Sequence, residues 1–375
     1  MLIRKKAPRR LLGVAGVIMI AVLTVVGLGS PAGATTNVVP AHSSLVKSSL
    51  IPRGDVYLPH GYPKGAEIVN YGIEPIQAYD ISLTNDVWRL NFYLWFRWKS
   101  PDGKPADAID PTSTTAYDNA SNAETNFQVS YSYTDAQGHE QPTKLADGSF
   151  YQLEYVQCGF ADNFDLARYP LDSQQLTIRF ESTTYDSNQL DYVPDPAGST
   201  SQKFDVPDWD PKGITYQSYI KHYTTDFGNS DSAGPFQNWS LATYSITIKR
   251  PLSNFLAKLL LPLLIVLVAS LLVLFLKSEH EISRLALSAS GLLTLIFLQQ
   301  GYSGELPPTV PLVLMDQFYA LAYLIILVTF ARIIWETTQV FHLKVSADTF
   351  IKTDRILAVV LGAVFFGGLA LMILL

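Results

Sequence analysis

The side chains of this sequence that could do chemistry are rings and carboxylates. Tyr219, Tyr223, Phe236 and Trp239 flank the stretch Gly228–Gln237, so a hairpin there would gather them, and Tyr185 belongs to a neighbouring strand connection. Grouped aromatic faces can hold a cationic amine; the alternative is ordinary core or strand-surface packing, because this whole region is rich in aromatic residues. Residues 35–250 carry 26 acidic and 15 basic side chains, a net of −11. Such a field concentrates cations, or it keeps a surface soluble. Enzymatic constellations are missing. Cys158 is the sole cysteine, so no intrachain disulfide can form. No run of His, Cys and carboxylates has metal-ligand spacing, and His280-Glu281 lacks the second His of a zinc-binding helix. Neither a Gly-x-Ser-x-Gly elbow nor a phosphate loop occurs. Catalytic residues, metals and cofactors are therefore not expected, and nothing points to nucleic acid.

The elements that must position these groups follow from hydropathy. The chain is 48% hydrophobic and 16% charged, too apolar for a simple soluble protein of 375 residues. Arg4, Lys5, Lys6, Arg9 and Arg10 precede an apolar run, Leu11–Leu28, and small residues at Ala32-Gly33-Ala34. That is the layout of a signal peptide spanning 1–34; a retained helix is the alternative, and Arg9-Arg10 hints at twin-arginine export. Residues 35–52 form a polar leader. Residues 53–250 alternate in short runs, as in Val87–Trp98, Gln175–Glu181 and Trp239–Arg250, with turn clusters at Pro101-Asp102-Gly103 and Ala146-Asp147-Gly148. About ten strands in an immunoglobulin-like β-sandwich are expected.

From Leu252 onward four apolar stretches predict membrane helices over 252–276, 281–302, 310–337 and 355–375. The second reaches spanning length only by including polar ends. Ser288, Ser290, Gln299 and Gln300 mark it as a helix that could face water inside the membrane. Gln299–Asp316 has no Lys or Arg, whereas Lys344 and Lys352 lie in the third connection, with Arg332 and Arg355 at the helix ends. The positive-inside rule then puts the amino-terminal domain outside and the third connection in the cytoplasm. A multi-pass protein of the plasma (inner) membrane is expected.

Arg168-Tyr-Pro-Leu-Asp-Ser-Gln174 resembles the Cys-loop signature of pentameric ligand-gated ion channels. Asn91–Trp98 looks like that family's second strand, and Trp209-Asp210 like a later strand start. Arg250 stands before the first helix, Pro262 lies within it, and Asp316 follows Leu306-Pro307 by nine residues, which is the family spacing. The short third connection is similar to that of prokaryotic members. Three features depart from the pattern. The cysteine pair is absent, Thr112–Gln137 lacks the family's Trp-x-Pro, and the Glu that closes the third helix stands about one turn late, as Glu336, with Arg332 near its usual place.

The resemblance implies a homopentamer in lipid whose second helix lines a pore for inorganic ions. Counted from Leu306-Pro307, the pore stripe is Ala286, Ser290, Leu293, Phe297 and Gln300, at three- and four-residue spacing. Leu293 and Phe297 would form apolar rings that gate by dewetting; for an isolated helix the alternative is packing against neighbours. Glu281, with Glu279, would set selectivity at the cytoplasmic mouth. Cations are expected, although neither the cation nor the anion motif of the family is present. Asp172 and Arg250 would couple the domains, joined by Asp86, while Tyr169-Pro170-Leu171 bears on the loop from Pro307 to Val310 and Asp316 begins the third helix. A static bridge would use the same contacts. The implied function is an ion channel opened by a proton or small-molecule agonist, and the alternatives are a non-conducting receptor and, least favoured, a membrane-tethered enzyme.

Overall fold

The structure, a computed structural model, describes residues 66–99, 111–121, 128–132, 142–195, 206–223, 237–308, 312–343 and 345–374. The expected signal peptide and leader, Phe236, and the turn at Pro101-Asp102-Gly103 lie outside these residues. Two compact units are present. One holds the strands; the other combines Leu166–Asp172 with Pro251–Leu375.

The strand unit contains β1 (Glu67–Ser82), β2 (Val87–Trp98), β3 (Thr115–Tyr117), β4 (Gln128–Ser132), β5 (Thr143–Lys144), β6 (Phe150–Ala161), β7 (Ser173–Ser182), β8 (Leu190–Pro194), β9 (Asp210–Tyr223) and β10 (Gln237–Lys249). One sheet runs β4-β6-β2-β1-β8 with β5 on β6, and the other β3-β7-β10-β9. Pairing is antiparallel except for β1 with β8. The alternation in β2 is why it forms a strand with one buried face: Trp88, Leu90, Phe92, Leu94, Phe96 and Trp98 all point inward. Each such burial stabilises the fold by about 1.5–3 kcal/mol. The sheets meet through rings: Phe180 of β7 lies edge-on to Tyr71 of β1 at 5.1 Å and to Phe96 of β2 at 6.1 Å. Tyr71 is fully buried, and its hydroxyl donates to the carbonyl of Gln217 at 3.0 Å, so its polar tip is satisfied across the core. Gly72 is required by close approach, since a Cβ there would sit 2.0 Å from the Trp95 ring. Asp86 ends the β1–β2 turn at φ 54, a left-handed conformation that Asp tolerates.

The second unit contains four helices long and apolar enough to cross a membrane: α1 (Leu252–Phe275), α2 (Glu281–Ser303), α3 (Leu314–Leu343) and α4 (Ile351–Leu374). The chain therefore has the organisation of a multi-pass membrane protein. Within α1, Phe255–Leu260 forms a π-helical turn immediately before Leu261-Pro262. Proline has no N–H and its ring crowds the carbonyl four residues back, and a wider turn there relieves the crowding.

Three helix boundaries differ from the sequence expectation by more than one residue, one of them the end of α3, at Leu343 rather than 337. α3 starts at Leu314 rather than near 310 because Asp316, at its third position, reaches back to accept from the Val313 N–H at 3.0 Å. That is half of a capping box, and it fixes the helix start. α4 starts at Ile351 rather than 355, because the inward-facing Asp354 is drawn into the first turn by partners on other helices.

Candidate channel and ligand sites

α2 is the least buried of the four long helices. Its inward residues are Arg284, Ser288, Leu295 and Tyr302. Ala286, Ser290, Leu293, Phe297 and Gln300 are all exposed, with Leu293 at 53% and Phe297 at 66%. At about 100° per residue these five lie on the side opposite the inward face. Ser288, read from sequence as part of the polar character of α2, is instead fully buried toward the other helices. Gln299 is half-buried and accepts from the Tyr323 hydroxyl of α3 at 2.7 Å. Leu292, beside the stripe, is partly buried. Gly291 packs so close to α1 that a Cβ would stand 2.4 Å from the Ser270 hydroxyl. Glu281 is half-buried and Glu279 exposed. Glu281 precedes Ala286 by five residues, which places it about 140° around the helix from the stripe.

Where α2 and α4 begin, four ionised side chains close on one another. The Arg284 guanidinium donates to Glu336 of α3 at 2.7 Å, to Asp354 of α4 at 3.0 Å and to the Val273 carbonyl of α1 at 3.3 Å. Arg332 reaches the same carboxylates, Glu336 at 2.8 Å and Asp354 at 2.9 Å. Its guanidinium lies over the Trp335 and Phe350 rings, 4.7 and 5.5 Å from their centres. Arg284, Glu336 and Asp354 are at most 2% exposed. Two positive and two negative groups balance, as burial demands. Val273, Leu274, Ile333 and Ala358 form an apolar cluster from α1, α3 and α4, with Leu285 of α2 packed against it. One side chain of α2 is thus tied to all three other helices.

The opposite end of α2 meets Leu166–Asp172. This segment holds Tyr169 and Pro170, joined by a cis peptide bond, and the buried Asp172. The Ala167 and Tyr169 carbonyls accept the first N–H groups of α3, from Leu314 at 3.0 Å and Met315 at 3.2 Å, satisfying donors a helix start leaves open. The Tyr169 ring stacks on Tyr302 at 6.3 Å, and Tyr302 on Tyr319 at 5.2 Å. The Tyr302 hydroxyl donates to Asp316. Tyr169 therefore touches the end of α2 and the start of α3, on either side of the expected loop. Pro307 is half-buried, and residues 309–311 are outside the described set. The sequence reading missed Tyr302 and Tyr319. Their signal was a Tyr on the inward face of each of two facing helix ends.

In the strand unit, Arg250 follows β10, and its guanidinium lies over the Trp209 ring at 4.2 Å. Of the expected aromatic group, Tyr219, Tyr223 and Trp239 share the face of the four-stranded sheet turned away from Phe180 and the core. The register Lys221↔Trp239 and Tyr219↔Leu241↔Glu181 sets this. Tyr219 is 40% exposed, while Tyr185, after β7, is half-buried. Sequence reasoning missed the charges between them. Lys221 donates to Asp118 at 2.5 Å and lies 3.7 Å from Glu181, with its ammonium 4.5 Å from the centre of the Tyr223 ring. The Tyr223 hydroxyl donates to Glu181 at 2.6 Å. Burial pushes Glu181 above its ordinary value and, with the Glu181 hydrogen bond, pushes Tyr223 up to about 12. Burial pulls Lys221 down, but its bonds to Asp118 and Tyr223 and the Glu181 charge outweigh this, so its pKa is raised and the ammonium stays charged.

Cys158 is buried, and burial pushes its thiol up to about 12, far from a reactive thiolate. Among the described residues no group of His, Cys, Asp and Glu could hold a metal ion. The chain matches no protein-family model and no curated protein.

Proposed function

We infer that the protein is one subunit of a pentameric ligand-gated ion channel in the plasma membrane, with the β-rich domain on the outer side. The observation that carries this reading is the two-sidedness of α2. One face is anchored by Arg284, Leu295 and Tyr302, and the other leaves Ala286, Ser290, Leu293, Phe297 and Gln300 exposed. A membrane helix with Ser and Gln on its exposed face is poorly suited to lipid and well suited to a water-filled axis. Five copies would stack these residues as rings, with Leu293 and Phe297 forming apolar constrictions that exclude water until they widen. An agonist at the β-rich domain would bias a closed–open equilibrium, and Tyr169 on Tyr302 would carry that bias into α2. Cations are the expected cargo, drawn by the acidic amino-terminal domain.

The test is to reconstitute purified protein into a planar bilayer and record current in asymmetric salt across a panel of protons, amines and divalent cations. Stimulus-dependent unitary currents, together with a five-subunit mass in mild detergent, are expected. A stable monomer or dimer, or silence across the panel, would overturn the reading in favour of a non-conducting receptor.

A further inference from the structure

The loop that carries Tyr169 is closed within the strand unit by one carboxylate. Leu166–Asp172 leaves that unit after Asp165 and returns at Ser173. Asp162, immediately after β6, is 7% exposed at its side chain. Its Oδ2 accepts from the Thr177 backbone N–H of β7 at 2.7 Å and from the Trp88 indole N–H of β2 at 2.9 Å. Its Oδ1 accepts from the Arg179 guanidinium of β7 at 3.1 Å. Both sheets and both ends of the loop therefore converge on one side chain, with 15 residues between Asp162 and Thr177.

The surroundings decide what can move. The Asp162 N–H donates to the Asp86 carbonyl at 3.0 Å. Asn119 holds the β7 backbone, donating to the Thr177 carbonyl at 2.7 Å and accepting from the Arg179 N–H at 3.0 Å. The Gln174 side chain closes a second, uncharged ring, donating to the Asp165 carbonyl at 2.7 Å and accepting from the Asp165 N–H at 3.1 Å. The Arg179 side chain, 35% exposed, is the part able to swing into water. Arg179 is also the charged group that faces Asp162; the other donors to its carboxylate, Trp88 and Thr177, are neutral. Three donors converge on this carboxylate, so a proton placed on it has to displace one of them. Oδ2 already takes two bonds and Oδ1 takes Arg179 alone, so the proton and Arg179 compete for Oδ1. Burial pushes the Asp162 carboxyl above its ordinary value, against the Thr177, Arg179 and Trp88 interactions that pull it down. A value raised in the folded chain means that the fold favours the protonated acid relative to the unfolded chain, so acid does not unfold the site.

We propose that Asp162 is an acid-operated clasp on the segment Leu166–Asp172. While the carboxylate is ionised, Arg179 and Thr177 hold the loop ends through charge-assisted bonds. A proton on Oδ1 releases Arg179 to solvent and leaves Trp88 and Thr177 on a neutral oxygen, whose bonds are about half as strong. The loop ends loosen while the sheets stay paired. The clasp rests on the geometry of the strand unit alone, and only its consequence for gating rests on the channel reading.

The experiment uses full-length protein in detergent and follows hydrogen exchange of residues 163–176 by mass spectrometry, corrected for the intrinsic pH dependence of exchange. A silent channel therefore does not decide it. The titration runs from about pH 8 down to about pH 4, to cover the ordinary carboxylate value and the range above it. Wild-type protection should fall in one step by about tenfold or more, the factor for one lost bond to a charged partner. Asp162→Asn, which imitates the protonated acid, should fold, show the low protection throughout and lose the step. Arg179→Met should move the step to higher pH, because the charge that opposes protonation is gone, and Arg179→Lys should keep it nearer the wild-type position. A wild-type profile without a step, a step that persists in Asp162→Asn, or an Arg179→Met step at the wild-type pH would overturn the proposal. So would failure of Asp162→Asn to fold at neutral pH, since the carboxylate would then be a requirement of the fold and not a switch.

Discussion

Replacing Arg284 with Met tests the energetics of the α2 anchor. The side chain is 1% exposed and lies 2.7 Å from Glu336 and 3.0 Å from Asp354. Methionine fills a similar volume, so the change removes charge more than packing. Two carboxylates then share the single guanidinium of Arg332, and one negative charge is stranded in a buried site. Breaking a buried ion pair in this way costs about 3–5 kcal/mol. Two lost bonds to charged partners point to the upper part of that range, at about 1.5–3 kcal/mol each. The charge-balanced double change Arg284→Met with Asp354→Leu leaves Arg332 facing Glu336 alone, so it should cost less than the sum of the single changes, by about 2 kcal/mol or more. Helical circular dichroism across a denaturing-detergent titration of the purified protein reads all three differences. If the single changes cost under about 1 kcal/mol, or if their effects add, the four charges do not act as one buried unit.

Leu293→Ser should wet the proposed constriction and raise resting current or sensitivity, while Leu292→Ser, on the partly buried side, should instead lower folded yield; the reverse pattern in recordings would shift the pore register by one residue. Tyr302→Phe keeps the stack with Tyr169 but removes the donor to Asp316, so it should cost about 1 kcal/mol and weaken the response to stimulus; an unchanged dose–response curve would separate this contact from gating. Glu281→Gln should reduce cation preference, with Glu279→Gln as comparison, and unmoved reversal potentials in both would place the filter elsewhere. Burial raises the Glu181 pKa, so the unfolded chain releases this proton first and stability falls as pH climbs from the ordinary carboxylate range to the raised value. Glu181→Gln should flatten that part of a thermal-stability profile, and an identical pH slope would show that Glu181 does not titrate there.

Elements governed by periodicity could be read directly. β2 alternates from Val87 to Trp98, and its bounds follow from that pattern; the apolar runs gave the existence of all four helices. Boundaries set by a single capping contact could not be read that way. Asp316 could have been any charged residue near a helix until its bond to Val313 was seen. The exposure of the stripe from Ala286 to Gln300 was legible because helical spacing is local, whereas the inward turn of Ser288 was not. The ion cluster was not, because Arg284 and Asp354 are 70 residues apart; only Arg332 and Glu336, four apart on one helix, left a trace. The aromatic group on β9 and β10 was anticipated while its charges were overlooked, because nothing in the sequence pairs Lys221 with a residue 103 positions earlier.

The ion cluster also constrains how the chain is made. Synthesis delivers α2 well before α4, so Arg284 enters the membrane with its Asp354 partner still in the ribosome. A lone arginine at a helix centre opposes insertion by about 2.5–3.5 kcal/mol on translocon scales, and near a helix end it can reach toward the interface instead. Arg284, four residues into α2, can wait there in contact with water, and so can Asp354 at the start of α4. α3 arrives between them carrying both signs at this level, Arg332 and Glu336, whose charges offset each other. The last helix to emerge is thus the one that completes the set, and a chain truncated before Ile351 would leave α2 holding an arginine with one carboxylate too few to bury it.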